Sequence, residues 1–237
     1  MPKPHRIVQF RYGKDNLGYL LHGKAGAIAV DGGAVDEMLA FLNENELELL
    51  MVTNTHSHGD HTCGNKALVE ATGAVLIPVS ELPEMRELVL EKQRIRILHT
   101  PGHTDDSVCF SYRNILLTGD TLFNGKVGRC FTGDLESFFN SVKKILGFSD
   151  NTFIYAGHDY YLEYLDTAWK LEPENRLLEI CRDGYDSEKT LVSTLGWEKK
   201  VDPFIRFNRP SLIRMMNEKG LPTGTEFERF CSMLNFM

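Results

Sequence analysis

Three histidines and an aspartate fall within six residues, His56-Ser57-His58-Gly59-Asp60-His61, just after the apolar run Leu49-Leu50-Met51-Val52. Imidazole nitrogens and carboxylate oxygens are donors that suit zinc, iron or manganese. In extended chain, residues two apart point the same way, so His56 and His58 can converge on one point. Asp60 and His61 break that alternation, and a turn at Gly59 would send them to a neighbouring point at the start of a helix. Four such side chains cannot all be core residues, because each would need its own buried partner.

An apolar strand, a glycine and then a metal-type ligand recur three times further along. Ile95-Arg96-Ile97-Leu98 leads through Thr100-Pro101-Gly102 to His103. Ile115-Leu116-Leu117 leads through Thr118-Gly119 to Asp120, and Thr152-Phe153-Ile154-Tyr155 through Ala156-Gly157 to His158. In layered α/β folds, sites collect on loops beyond strand ends. Taken singly, each of these three is an ordinary turn residue. With the first cluster they make seven ligands, enough for two coordination spheres that share a carboxylate.

The elements that must hold these residues are legible as patterns. Short β segments cover 7–12, 17–21 and 27–30, with a turn at Gly13-Lys14-Asp15-Asn16 and a stop at Asp31-Gly32-Gly33. Val35, Met38, Leu39 and Leu42 share a helical face, 49–52 reads as a strand buried on both faces, and 66–71 as a helix. Strands are expected at 74–77, 95–98, 115–117 and 152–155, with an amphipathic helix over 135–146. Hairpins followed by alternating β and α imply layered sheets with helices outside. After Tyr164 no strand runs appear and 177–181 and 212–216 look helical, so a boundary is expected near residue 165.

Composition narrows the function. The chain has 237 residues, 42 % hydrophobic and 25 % charged, ordinary for a globular protein that needs no disulfide to fold. No apolar stretch approaches the ~20 residues that cross a bilayer. Met1-Pro2-Lys3-Pro4-His5-Arg6 lacks a following apolar run, so no secretory signal is expected. A net charge of −7 argues against nucleic acid as a partner. Five scattered cysteines without a C-x-x-C read as free thiols in a reducing compartment, the cytoplasm by default, with Cys63 and Cys130 as packing residues.

The His-x-His-x-Asp-His run, Pro101-Gly102-His103-Thr104, Thr118-Gly119-Asp120 and Gly157-His158, in that order, resemble the metallo-β-lactamase superfamily. Leu117-Thr118-Gly119-Asp120-Thr121-Leu122-Phe123, Val127-Gly128-Arg129 and Gly157-His158-Asp159-Tyr160 resemble glyoxalase II, the hydroxyacylglutathione hydrolases. Ser193-Thr194-Leu195 and Asp202-Pro203-Phe204-Ile205-Arg206 resemble that family's C-terminal helical region. The resemblance implies an α/β (α+β) fold, a four-layer αββα sandwich with a C-terminal α-helical domain. The catalytic metal-binding domain would be 1–165 and the substrate-binding domain 166–237. It also implies two divalent metals, zinc first, with iron or manganese as alternatives. His56, His58 and His103 would hold one, Asp60, His61 and His158 the other, and Asp120 would bridge. A bridging water with its pKa lowered from 15.7 towards ~7 would attack the thioester of S-D-lactoylglutathione, with Asp60 and Asp120 as catalytic carboxylates.

For the substrate, Arg129 and Tyr160 match the family's contact positions, while Phe131 stands where tyrosine is frequent. The family's C-terminal basic pair has no counterpart in Phe230-Cys231-Ser232-Met233-Leu234-Asn235-Phe236-Met237. Arg206, Arg209 and Arg214 offer either a replacement anion site or a solvated face with ion pairs. Tyr160, Tyr161 and Tyr164 suit either a pocket or an interdomain seam. The alternatives to glyoxalase II chemistry are a mononuclear-iron sulfur dioxygenase of the same fold and a hydrolase acting on another thiol carrier.

Overall fold

Alternation along the first hairpins sets the layers. A computed structural model describes residues 6–237, so the expectation about the first five residues lies outside it. The first sheet contains β1 (Arg6–Tyr12), β2 (Asn16–His22), β3 (Gly26–Val30), β4 (Glu48–Thr53) and β5 (Val75–Leu76), side by side in that order. The first three are antiparallel; β3, β4 and β5 are parallel, with α1 (Val35–Glu44) crossing before β4, and α2 (Gly59–Thr62) and α3 (Asn65–Thr72) before β5. Leu17, Tyr19 and Leu21 of β2 and Ile28 and Val30 of β3 point one way, into the gap between sheets. Leu20, Ala27 and Ala29 point the other way, onto Met38 and Leu42 of α1 and Leu68 of α3.

A 3-10 turn at Val79–Glu84 passes the chain to the second sheet. Its strands are β6 (Glu87–Leu90), β7 (Gln93–His99), β8 (Val108–Tyr112) and β9 (Ile115–Gly119); a hairpin, β10 (Leu122–Phe123) with β11 (Lys126–Val127), follows. After α4 (Leu135–Leu146), β12 (Phe153–Ala156) pairs parallel with β9. Val108, Phe110 and Tyr112 of β8 and Leu117 of β9 meet the first sheet. Cys109, Leu116 and Ile154 face outward onto Phe138, Val142 and Ile145 of α4. Asp134 starts that helix by accepting a hydrogen bond from Ser137 N at 2.9 Å. The result is four layers, helix–sheet–sheet–helix.

The remainder is α5 (Tyr161–Leu171), α6 (Leu177–Gly184), β13 (Ser193–Thr194), α7 (Leu195–Val201), α8 (Pro210–Glu218) and α9 (Glu226–Leu234). Residue 165 lies inside α5. Leu195, Phe204, Phe207, Leu212, Met216, Phe230 and Met233 share one apolar cluster with α4 and the outer face of the second sheet. The expectation of no further strand is corrected by β13, which pairs antiparallel with β12. Two polar residues carry no apolar run, so nothing in the pattern could signal it. All five cysteines are unpaired. Cys130 packs partly buried against the outer cluster, but Cys63 is exposed, its thiol 3.2 Å from Asp60 O. No helix among the described residues is long and apolar enough to cross a membrane.

Candidate metal centre

The seven expected ligands meet at one end of the sandwich. Beyond β4, His58 keeps extended backbone and Gly59 opens the one-turn helix α2, so Asp60 and His61 swing away from His56 and His58. Asn54 fixes this turn by donating Nδ2 to His61 O at 2.7 Å. The second sheet supplies the other three. Gly119 has φ +49° with Thr55 Oγ1 only 2.5 Å from where a Cβ would stand, and a Cβ on Gly157 would come 2.2 Å from Asp120 Oδ1. Only glycine lets these two strand ends approach the ligands so closely. Backbone bonds from Leu17 N to Gly157 O and from Val108 N to Thr55 O, both 2.8 Å, close the sheets together here.

Two constellations result. His58 Nδ1 lies 3.0 Å from His56 Nε2 and 3.1 Å from His103 Nε2. His61 Nε2 lies 3.1 Å from His158 Nε2, and Asp60 Oδ2 is 3.6 and 3.4 Å from those two nitrogens. Asp120 sits between: Oδ2 is 3.4 Å from both His103 Nε2 and His158 Nε2, and Oδ1 is 3.5 Å from His61 Nε2. His56, His61, His103, His158 and Asp120 are buried, whereas Asp60 is 46 % exposed towards the cavity above.

The far ring nitrogens decide what this cluster can hold. His103 Nδ1 is 2.9 Å from Arg129 O, and His158 Nδ1 is 2.8 Å from Asp15 Oδ1. His56 Nδ1 is 3.1 Å from Thr55 Oγ1, whose own proton goes to Asp31 Oδ2 at 2.8 Å. His61 Nδ1 lies 3.0 Å from the same Asp31 oxygen, outside good hydrogen-bond alignment. The oxygens of Arg129, Asp15 and Thr55 claim three of the ring protons, and Asp31 is the nearest acceptor for the fourth, so the neutral rings turn four Nε2 lone pairs inward. Lone pairs about 3 Å apart repel unless a cation lies between them. The buried Asp120 Oδ1 has no hydrogen-bond partner either. The donor set fits divalent metal, and groups His56–His58–His103 and Asp60–His61–His158 each bring their ligand atoms within 4.8 Å.

The proton affinities carry the same imprint. Burial, helped by the neighbouring His61, pushes His56 down to about 2, and burial also lowers His103. Burial opposes charge on His61 as well, yet Asp31, Asp120 and Asp60 carry it up to about 9. His158 is raised against its burial by Asp120 and Asp15. Burial works against the Asp120 carboxylate, but His158, His61 and His56 hold it below the ordinary range. The half containing His61 and His158 is therefore a strongly negative pocket that attracts positive charge.

Above the centre lies a cavity of about 560 Å³. Phe131 stands edge-on to His103 and His58, with the Arg129 guanidinium 5.7 Å from its ring. Tyr160 stacks on His158 with centroids 4.8 Å apart, and Phe123, Lys126, Glu163, Tyr164 and Met237 complete the wall. Arg129, Phe131 and Tyr160 thus all border the cavity, as does Tyr164, while Tyr161 packs against Tyr185 instead. Arg206 is absorbed by a 2.7 Å ion pair with buried Glu172, and Arg209 and Arg214 are exposed; none of the three lines the cavity. Sequence reading passed over Asp31, Asp15, Thr55 and Lys126. Asp31 carried a partial signal, since it too follows an apolar strand, although its glycines come after it rather than before.

Comparison with known proteins follows the same lines. The family model of the metallo-beta-lactamase superfamily matches residues 15–88 and 86–158. The chain is 32 % identical over 226 residues to a hydroxyacylglutathione hydrolase of Chromohalobacter salexigens, covering 87 % of this chain and 89 % of that one. It is 34 % identical over 216 residues to a hydroxyacylglutathione hydrolase of Vibrio cholerae, covering 84 % and 86 %. Among solved structures, ETHE1 from Myxococcus xanthus aligns with a TM-score of 0.65 at 23 % identity, over 96 % of this chain and 99 % of that one. The BLEG-1 B3 metallo-beta-lactamase gives 0.65 at 20 %, over 84 % and 99 %. At these identities the two structures speak for the fold.

Proposed function

We propose, for a chain that belongs to the metallo-beta-lactamase superfamily and within it to the hydroxyacylglutathione hydrolase family, that it cleaves S-D-lactoylglutathione or a close thioester to D-lactate and the free thiol. The observation that carries this reading is the ring of inward lone pairs, each fixed by an outer oxygen, beneath a cavity of substrate size. His56, His58 and His103 would hold one divalent ion and Asp60, His61 and His158 a second, with Asp120 between. An all-nitrogen-and-oxygen donor set supports zinc, with iron and manganese as alternatives. When bound, such a pair polarises a carbonyl and makes water a nucleophile near neutral pH.

The chain's own residues do the positioning. Asn16 Nδ2 holds Asp60 Oδ2 at 2.8 Å, and the half-exposed carboxylate borders the cavity, where it can orient an attacking water by accepting its hydrogen bond. Phe131 and Tyr160 wall the two sides and limit how a flat thioester can lie over the centre. Arg129 offers its guanidinium to an anionic group of the thiol half. The division of labour at residue 165 belongs to the same proposal: all seven ligands precede it, and the later segment borders the cavity through Met237, just beyond α9. The unpaired cysteines support a reducing compartment, the cytoplasm.

The deciding experiment is hydrolysis of S-D-lactoylglutathione by metal-analysed protein, with a coenzyme A thioester alongside. Turnover of the glutathione ester at about two metals per chain is the expected result. No thioester turnover at full loading would overturn it, and oxygen uptake with a persulfide and a single iron would assign the dioxygenase reaction instead.

A further inference from the structure

Asn124-Gly125 joins β10 to β11 as a two-residue hairpin loop, with Gly125 at φ +97°. In this hairpin Phe123 and Lys126 are direct cross-strand partners, and both line the cavity. The tip is fixed from behind. Gly125 N donates to Glu198 Oε2 at 2.8 Å, and Asn124 Nδ2 donates to Ser193 Oγ at 2.7 Å. Lys126 is therefore carried on a rigid mount.

The ammonium it carries makes no direct ion pair among the described residues, with Glu163 and Asp202 acting on it from further off. Lys126 is 8 % exposed, its Nζ is 4.3 Å from the Tyr164 ring centroid and 5.6 Å from that of Phe204. Among the described residues no carboxylate oxygen comes within 4.0 Å of it. Aromatic faces return part of the cost of removing an ammonium from water, and an anion would return much more. Burial accordingly lowers the lysine's proton affinity, with Glu163 opposing. The cation stands on the His158 side of the cavity, and Arg129 stands on the His103 side.

We propose that Lys126 is a specificity-determining residue that receives a carboxylate on the thiol half of the substrate. The proposal rests on the thioester reading above. Glu163, which also borders the cavity, disfavours a multiply charged phosphate and leaves room for a carboxylate alone or beside an ammonium. Lys126 thus takes over charge recognition that the arginines at 206, 209 and 214 do not supply to this cavity.

The test measures binding of S-methylglutathione to the metal-loaded protein by calorimetry, with coenzyme A as the phosphate-bearing control. Lys126→Met should weaken S-methylglutathione binding about tenfold or more, and Lys126→Arg should restore it to within a few-fold. For thioesters, the same Met variant should raise KM with D-lactoylglutathione by a similar factor, keep kcat, and leave kcat/KM unchanged for the neutral N-acetylcysteamine ester. Equal losses on charged and neutral esters, or binding unmoved by Lys126→Met, would overturn the assignment. So would absence of S-methylglutathione binding by the wild type, or Lys126-dependent binding of coenzyme A in its place. If no thioester is turned over, the calorimetric comparison still decides the role of Lys126, and the failure falls on the reaction alone. Thermal midpoints of both variants guard against a folding defect.

Discussion

On the floor of the cavity, His56, His61, His103 and His158 each turn their outer nitrogen towards a fixed oxygen, and these four, among the six groups that meet there besides His58, have almost no exposed surface. On one wall, Phe131 is 59 % exposed and the exposed Arg129 lies against its ring. The floor is organised in advance for a small fixed ion, and the wall is free to settle on a larger, flexible substrate. Damage to the floor and its supports should therefore appear as lost metal, and damage to the wall as altered KM with metal retained.

Asp120→Ala gives the sharpest contrast. It removes the one carboxylate that touches both constellations, and thioesterase activity should fall by about a thousandfold or more with metal content reduced, as read by elemental analysis. If metal and activity persist, the floor is not the centre of chemistry.

Glu198→Gln probes the mount behind the other wall. Burial raises the Glu198 carboxyl from 4.5 to about 7, and Asp202 is raised for the same reason. Both keep protons in the folded state that the unfolded chain has lost, so stability is complete below pH 4.5 and falls as pH rises to about 7. The wild type should lose roughly 1.4 kcal/mol per pH unit from Glu198 across that window, and the Gln variant should show a shallower slope. Urea midpoints at pH 5 and 7.5 measure this, while metal content should not move.

Asp31→Ala and Asp15→Ala grade the floor's supports. Asp31 serves His61 and, through Thr55, His56, so metal affinity should fall towards the upper end of the roughly 10–100-fold range for such partners. Asp15 serves His158 alone and belongs at the lower end. Competition with a chromogenic chelator ranks them; the reverse order would mean that the two constellations are not coupled through Asp31. The smallest effect is expected on the wall: Phe131→Tyr should lower KM for the glutathione thioester by roughly threefold, by adding one hydroxyl, with kcat and metal unchanged.

The same contrast governs what the sequence could reveal. The ligands were legible because four lie within six residues and the others repeat one local pattern of strand, glycine and ligand. Their supports were not. Asp15 looks like a turn residue, and Asp31 like the end of a strand, until the fold sets them against His158 and His61. Lys126 shows nothing in isolation; its meaning comes from the Asn124-Gly125 turn, which places it beside Phe123 over the centre. The helices after residue 165 were read by their periodicity, but their sharing of a core with α4 and the second sheet depends on contacts between distant segments.

The meeting of the two sheets at the centre also sets an order of events for a chain leaving the ribosome. His56, His58 and His61 emerge well before Asp120 and His158, so an ion met early finds an incomplete sphere and is easily lost. Firm capture waits until Leu17 has bonded to Gly157 and Val108 to Thr55, the two links that shut the sandwich at this end. Metal retention would then be a certificate of completed folding, and stripping the ion should let these two amides exchange with solvent sooner than those deeper in the sheets.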